Sequence, residues 1–177
     1  MSPRLALLPL AALALMVVGG SHPPPAPGLG PATAAPGHLS WPLTGWVMTQ
    51  GYGCTTFELE PVAPWCPSGH FHSGIDLAAA AGTPVHAAAA GLARVAEDPA
   101  GYGLFVVIDH GGGLGTLYGH LQGTPLHSGE ALGAGEAVGR VGTTGLSTGP
   151  HLHFEVRRSG RPVDPAAWLP TDESRRS

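Results

Sequence analysis

The sequence predicts an all-β fold, a compact domain of many short strands. Three observations carry that expectation. From Trp41 onward no long stretch repeats its apolar residues at helical spacing. Short β-type runs recur instead, roughly 8–15 residues apart and separated by Gly and Pro. The chain holds 28 Gly, and after residue 42 they sit where such runs end, as bulges and tight bends require.

Taken in order, the chain begins with an export signal. Arg4 is followed by the apolar run 5–18, broken only by Pro9, and then by Gly19-Gly20-Ser21. This is the pattern of a secretory signal peptide, assigned to residues 1–21, with Val18 and Gly20 suiting the positions before cleavage. The run is shorter than the ~20 residues that a spanning helix needs, so no stable membrane insertion is expected once the signal is removed. No Cys follows the run to carry a lipid. The protein is expected to be exported, to the periplasm, the cell wall or the medium. Residues 22–40 are Pro, Ala and Gly with little to bury, and read as an extended linker. The domain is assigned to residues 41–170 and a charged tail to 171–177. No sizeable further domain is read before residue 41 or after Trp168, so targeting is expected from the domain itself or from another protein.

Within the domain the expected strands are 46–49, 75–77, 91–96, 104–110, 115–119, 137–141 and 151–157. Leu104-Phe105-Val106-Val107-Ile108 is the clearest buried one. The alanine runs 78–81 and 87–90 could seed helix by propensity, but each is short and bounded by Gly or Pro. Gly82-Thr83-Pro84-Val85 leading to Arg94-Val95 faintly resembles Gly129-Glu130-Ala131-Leu132 leading to Arg140-Val141, which suggests a duplicated hairpin.

Charge excludes one class of partner. The net charge is −4 and all eight basic residues are Arg, so the basic stripe of a nucleic-acid binder is missing. Cys54 and Cys66 are the only cysteines. In an exported protein such a pair is most simply a disulfide. The alternative is a zinc site with His70 and His72, although Cys-x11-Cys is unlike the short spacing of structural zinc sites.

Ten His dominate the titratable chemistry near neutral pH. Three groups matter. His72 and Asp76 are four apart, and Gly74 between them supplies the bend that would bring them together. His151 and His153 lie at i and i+2 of an expected strand, so both face one side while Leu152 and Phe154 turn to the core. Pro150 suits the strand's first residue. Tyr118-Gly119-His120 ends a run that follows a triple-Gly turn. Two imidazoles and one carboxylate leave an open position on zinc, the pattern of a catalytic site. Such an ion lowers the pKa of water to about 7 and polarises carbonyls, and further His can move protons.

The segments Phe71-His72-Ser73-Gly74-Ile75-Asp76-Leu77, Gly82-Thr83-Pro84-Val85, Leu117-Tyr118-Gly119-His120-Leu121, Gly142-Thr143-Thr144-Gly145 and Gly149-Pro150-His151-Leu152-His153-Phe154-Glu155-Val156 together resemble the lysostaphin-type (LytM) zinc metallopeptidases, which cleave peptide bonds in bacterial peptidoglycan. The resemblance runs from about Trp46 to Trp168. It implies a two-sheet antiparallel β domain with the metal in a groove, one Zn2+ per chain held by His72, Asp76 and His153, and two catalytic histidines, His120 and His151. Tyr118 matches a family residue expected to be structural. His110 recurs in the family without being a ligand, and His70, His86 and His127 are expected outside the site.

The chain departs from the family pattern at the Cys54–Cys66 segment, which reads as a stapled loop at the groove. It also lacks a Tyr beside Trp65, Cys66 and His70, just ahead of the first ligand, where Gly-Gly-cleaving members place an oxyanion-stabilising one, so that role is not assigned.

The resulting expectation is an exported zinc metalloendopeptidase acting on stem or cross-bridge peptides, with peptidoglycan peptides as partners and room for a protein activator. The alternative is a non-catalytic peptidoglycan-binding or regulatory domain on the same scaffold; such members lack ligands that are all present here. A cupin-like metal enzyme also uses H-x-H on a strand. It needs a carboxylate three or four residues after the second His, whereas Glu155 is two after His153. Glu155 is instead expected on the face of the two His, salt-bridged to Arg157 or Arg158.

Overall fold

The computed structural model describes residues 39–171. The signal peptide, most of the linker and all of the charged tail but Thr171 lie outside the described residues. Leu39, assigned by sequence to the linker's end, is buried, and its N–H donates to the carbonyl of Trp168 at 3.2 Å.

The described residues form thirteen strands: β1 Val47–Gln50, β2 Gly53–Thr55, β3 His70–His72, β4 Ile75–Ala78, β5 Pro84–His86, β6 Gly91–Asp98, β7 Gly103–Gly111, β8 Leu114–Gly119, β9 Leu121–Gly123, β10 Ala131–Leu132, β11 Ala137–Val141, β12 His151–Arg158 and β13 Arg161–Val163. Eight of them make one sheet in the order β1-β4-β12-β8-β7-β6-β10, with β13 also paired to β12. A three-stranded sheet runs β5-β11-β9, and β2 and β3 form a separate pair. Every pairing is antiparallel. All seven strands expected from sequence are present, one with the bounds expected and the others shifted at an end by at most two residues.

The long strands β7, β8 and β12 supply the core because their alternate residues point inward. Val106, Ile108, Leu152, Phe154 and Val156 are fully buried. Tyr118 packs edge-on against Phe154, with ring centroids 5.4 Å apart. β7 turns into β8 through Gly111, Gly112 and Gly113, all with positive φ, a conformation that glycine adopts without steric cost.

The alanine runs form no helix, in keeping with their shortness and their Gly and Pro bounds, and the described residues contain only a 3-10 turn at Pro165–Ala167. Ala78 closes β4, and Ala87 and Ala88 are buried in a bend where the Ala88 N–H donates to Tyr118 Oη at 2.8 Å. Tertiary packing overrides alanine's propensity in runs too short to nucleate helix. The two similar segments are not two copies of a hairpin either. The short strand of each pairs with the long strand of the other, β5 with β11 and β10 with β6.

Register builds the site. β12 pairs with β4 so that His153 faces Asp76, and with β8 so that His153 also faces Gly119, the residue before His120. β1 sets Gln50 opposite Asp76, and β2 sets Gly53 opposite His72. Gly74 makes the bend between β3 and β4 against β12. A Cβ there would lie 2.4 Å from the carbonyl oxygen of Phe154, so only glycine fits.

Candidate functional site

His72, Asp76 and His153 converge. His72 Nε2 lies 3.0 Å from His153 Nδ1 and 3.2 Å from Asp76 Oδ1, and His153 Nδ1 lies 3.0 Å from the same oxygen. Donors at about 2.0–2.1 Å from a tetrahedral zinc stand about 3.3 Å apart, so this triangle is close to the size that such an ion needs. The ring orientations agree. His72 Nδ1–H donates to the carbonyl of Gly51 at 2.9 Å, which leaves Nε2 as the free lone pair. On His153 the roles are reversed: Nε2 faces Glu155 Oε1 at 3.2 Å and Nδ1 faces the triangle. The two imidazoles and one carboxylate therefore fit a catalytic-type metal site.

Charge in the cluster follows from its contacts. Burial works against the Asp76 carboxylate, but hydrogen bonds from His153 and His72 outweigh it and hold its pKa well below the ordinary value. Burial also works against His153 as a cation, yet Asp76 and Glu155 raise it to about 9. Without a metal, these contacts favour a proton on His153 at the place where the ion would bind.

His120 and His151 flank the triangle. Their ring centroids are 4.7 Å apart, and His120 is 6.0 Å from His153. His120 Nδ1–H donates to the carbonyl of Thr144 at 2.8 Å. His151 Nδ1–H donates to the carbonyl of Gly149 at 2.8 Å, and its Nε2 lies 3.7 Å from Asp76 Oδ1. Both Nε2 atoms are thus left as the free positions. Burial lowers the His120 pKa to about 4, with the bond to Thr144 opposing and the neighbouring His151 and His153 lowering it further. His120 is therefore a neutral base at pH 7. Its backbone is in the left-handed region at φ 59°, an arrangement that non-glycine residues rarely adopt and that clusters at functional sites. The Gly142-Thr143-Thr144-Gly145 turn meets this strand end tightly: a Cβ on Gly142 would lie 2.7 Å from the carbonyl oxygen of His120.

A groove of about 500 Å³ opens over these residues. Phe57, Leu59 and Glu60 form one wall, and Asp98, Tyr102 and Leu146 lie on other parts of its lining. The first wall is the loop stapled by the Cys54–Cys66 disulfide, whose Cα atoms are 5.5 Å apart. The alternative cysteine–histidine zinc site is therefore not formed. Glu60, unnoticed in the sequence, reaches inward: its Oε1 accepts from Gln50 Nε2 at 3.1 Å and stands 3.9 Å from His72 Nε2. Desolvation raises its pKa, and the adjacent imidazoles oppose that shift.

The remaining histidines among the described residues have other work. His70 Nδ1–H donates to the carbonyl of Glu60, His86 Nδ1–H donates to that of Gly135, and His127 is exposed beside Glu130. His110 is buried between the carbonyl of Ala90 and Thr116. Tyr118 is a core residue, as expected. Tyr52, also upstream of His72, has its hydroxyl on the carbonyl of Pro162, away from the groove. Tyr102 does line the groove, and no motif marks it; its hydroxyl donates to Glu155. Glu155 pairs with Arg157, while Arg158 lies over the ring of Trp168.

Residues 70–165 match the model of peptidase family M23. The DD-carboxypeptidase/endopeptidase Mpg of Neisseria meningitidis is 50% identical over 103 residues, covering 58% of this chain and 24% of Mpg. The chain thus spans about a quarter of the length of that relative. The murein hydrolase activator EnvC of Escherichia coli is 36% identical over 133 residues, 75% of this chain and 29% of EnvC. Among solved structures, the catalytic domain of a mutant form of the prophage-encoded M23 protein EnpA from Enterococcus faecalis superposes with a TM-score of 0.59 at 35% identity, covering 72% of this chain and 96% of that one.

Proposed function

The chain belongs to peptidase family M23, and from that premise we propose that it is an exported zinc metalloendopeptidase hydrolysing peptide bonds in the stem or cross-bridge peptides of bacterial peptidoglycan. The observation that carries this reading is the triangle of His72 Nε2, Asp76 Oδ1 and His153 Nδ1 with the Nε2 atoms of His120 and His151 beside it. When bound there, zinc supplies Lewis-acid polarisation of the scissile carbonyl and a lowered pKa for water.

The chain's own residues do the rest. His72, Asp76 and His153 hold the ion. The stapled loop and the opposite lining bind an extended peptide between them. His120 and His151 each present an Nε2 to the groove: one takes the proton of the attacking water on its lone pair and passes it to the leaving amine as the C–N bond breaks, and the other, with its Nε2 protonated, donates to the carbonyl oxygen as negative charge develops there. General acid–base assistance of this kind is worth roughly 10²–10⁴ in rate.

A regulatory domain without catalysis is the second reading, and the likeness to a murein hydrolase activator favours it. The two readings separate on one experiment. Purified peptidoglycan is digested with the full chain, and the fragments are identified by mass spectrometry. New amine and carboxyl ends at one type of peptide bond support the peptidase; intact peptides support the regulator.

A further inference from the structure

We infer that Glu155 is a positioning residue: its carboxylate, fixed by Ser73, Tyr102 and Arg157, keeps the ring proton of His153 on Nε2 and so aims the Nδ1 lone pair at the metal site. The inference rests on the proposed role of His153 as a metal ligand.

A fully buried carboxylate is costly unless its oxygens are satisfied. Glu155 is 0% exposed, and four donors surround it. Oε1 accepts from Ser73 Oγ at 2.6 Å, from Tyr102 Oη at 2.7 Å and from His153 Nε2 at 3.2 Å. Oε2 accepts from Arg157 Nε at 2.6 Å. An ion pair alone would need only the Arg157 side. The other oxygen is turned to His153, which shares its face of β12 at i−2.

That contact decides the tautomer. A neutral imidazole has one N–H and one lone pair. With the proton on Nδ1, the bare Nε2 would face a carboxylate and the N–H would point at His72 and Asp76. With the proton on Nε2, the carboxylate accepts it and Nδ1 is free. Carboxylates that accept from the outer nitrogen of a ligating His typically change metal affinity by about 10–100-fold when removed.

Tyr102 extends the arrangement. Its hydroxyl holds Glu155, while its carbonyl accepts the backbone N–H of His120 at 2.7 Å. One residue thus ties the orientation of His153 to the strand end that carries His120.

The test uses the full chain, with zinc affinity measured by chelator competition and ring N–H protons observed by NMR in zinc-loaded protein. The wild-type protein is expected to show a slowly exchanging, low-field His153 Nε2–H. Glu155→Met, which removes the acceptor, should lose that signal and bind zinc about 10–100-fold more weakly. Glu155→Gln keeps an amide oxygen and should fall between the two. Arg157→Met removes the ion pair and the Arg157 Nη2 bond to Tyr102 Oη at 3.3 Å but leaves the three donors on Oε1 in place, and should keep the signal and most of the affinity. Should Glu155→Met not fold, the wild-type proton and Glu155→Gln still decide. Wild-type affinity and an unchanged Nε2–H in Glu155→Met or Glu155→Gln would overturn the inference, as would a zinc-loaded wild type with the His153 proton on Nδ1. A wild type that takes up no zinc instead contradicts the zinc-peptidase reading on which the inference rests.

Discussion

His153 Nδ1 and Asp76 Oδ1 stand 3.0 Å apart, facing residues on β12 and β4, a separation that favours a shared proton in the metal-free protein. Asp76 and Glu155 together raise the His153 pKa to about 9 against the opposing effect of burial. Zinc must displace that proton. Apparent zinc affinity should therefore fall about tenfold per unit as pH drops below about 9, and calorimetry in buffers of different ionisation enthalpy should detect its release. Linkage fixes the sign for stability. The folded-state pKa lies above that of the unfolded chain, so the contribution is complete below the ordinary imidazole value and is lost as pH rises through about 9. Metal-free protein should melt lower at pH 9 than at pH 6.5 on this account, and zinc should remove that difference.

His120→Ala and His151→Ala should each retain zinc while losing peptide cleavage by about 10²–10⁴-fold. Neither ring belongs to the triangle, and each is anchored by its own Nδ1–H to a loop carbonyl. Metal content and turnover measured on the same preparation check this. Both variants cleaving at near wild-type rate would remove them from the chemistry.

The disulfide should matter to stability and to the groove together. Cys54 and Cys66 close a loop of sequence separation 12 that carries Phe57, Leu59 and Glu60. Replacing both with Ser should cost about 2–3 kcal/mol, read by denaturant unfolding. It should raise KM more than it lowers kcat, because the wall loosens while the triangle stays in the sheets.

Gly74→Ala tests the local geometry. The added methyl would meet the carbonyl oxygen of Phe154 at 2.4 Å and His153 Cε1 at 3.0 Å. Strand β12 must shift, at a cost of about 1–3 kcal/mol. Zinc affinity should fall with stability, because the strand that moves carries His153.

Much of this was legible in the sequence because its signals are local. The H-x-H of His151 and His153 and the run at 104–108 follow from the period of two along a strand. Strands β2, β3, β5, β9, β10 and β13 are two or three residues long, too short to show any period. Glu60 and Tyr102 were missed for a different reason. They reach the site through a stapled loop and a Gly-flanked turn, so their neighbours in space are 12 to 53 residues away along the chain. The swapped pairing of β5 and β10 is likewise a property of the assembled sheets. Glu155 was placed correctly because its partners His153 and Arg157 are two residues to either side.

The most direct test is to add zinc stepwise to metal-free protein and follow the release of peptide ends from purified peptidoglycan. The predicted result is cleavage that rises linearly and reaches its plateau at one zinc per chain, with no cleavage by His72→Ala at that ratio. Peptidoglycan peptides that stay intact at one equivalent of bound zinc would contradict the account.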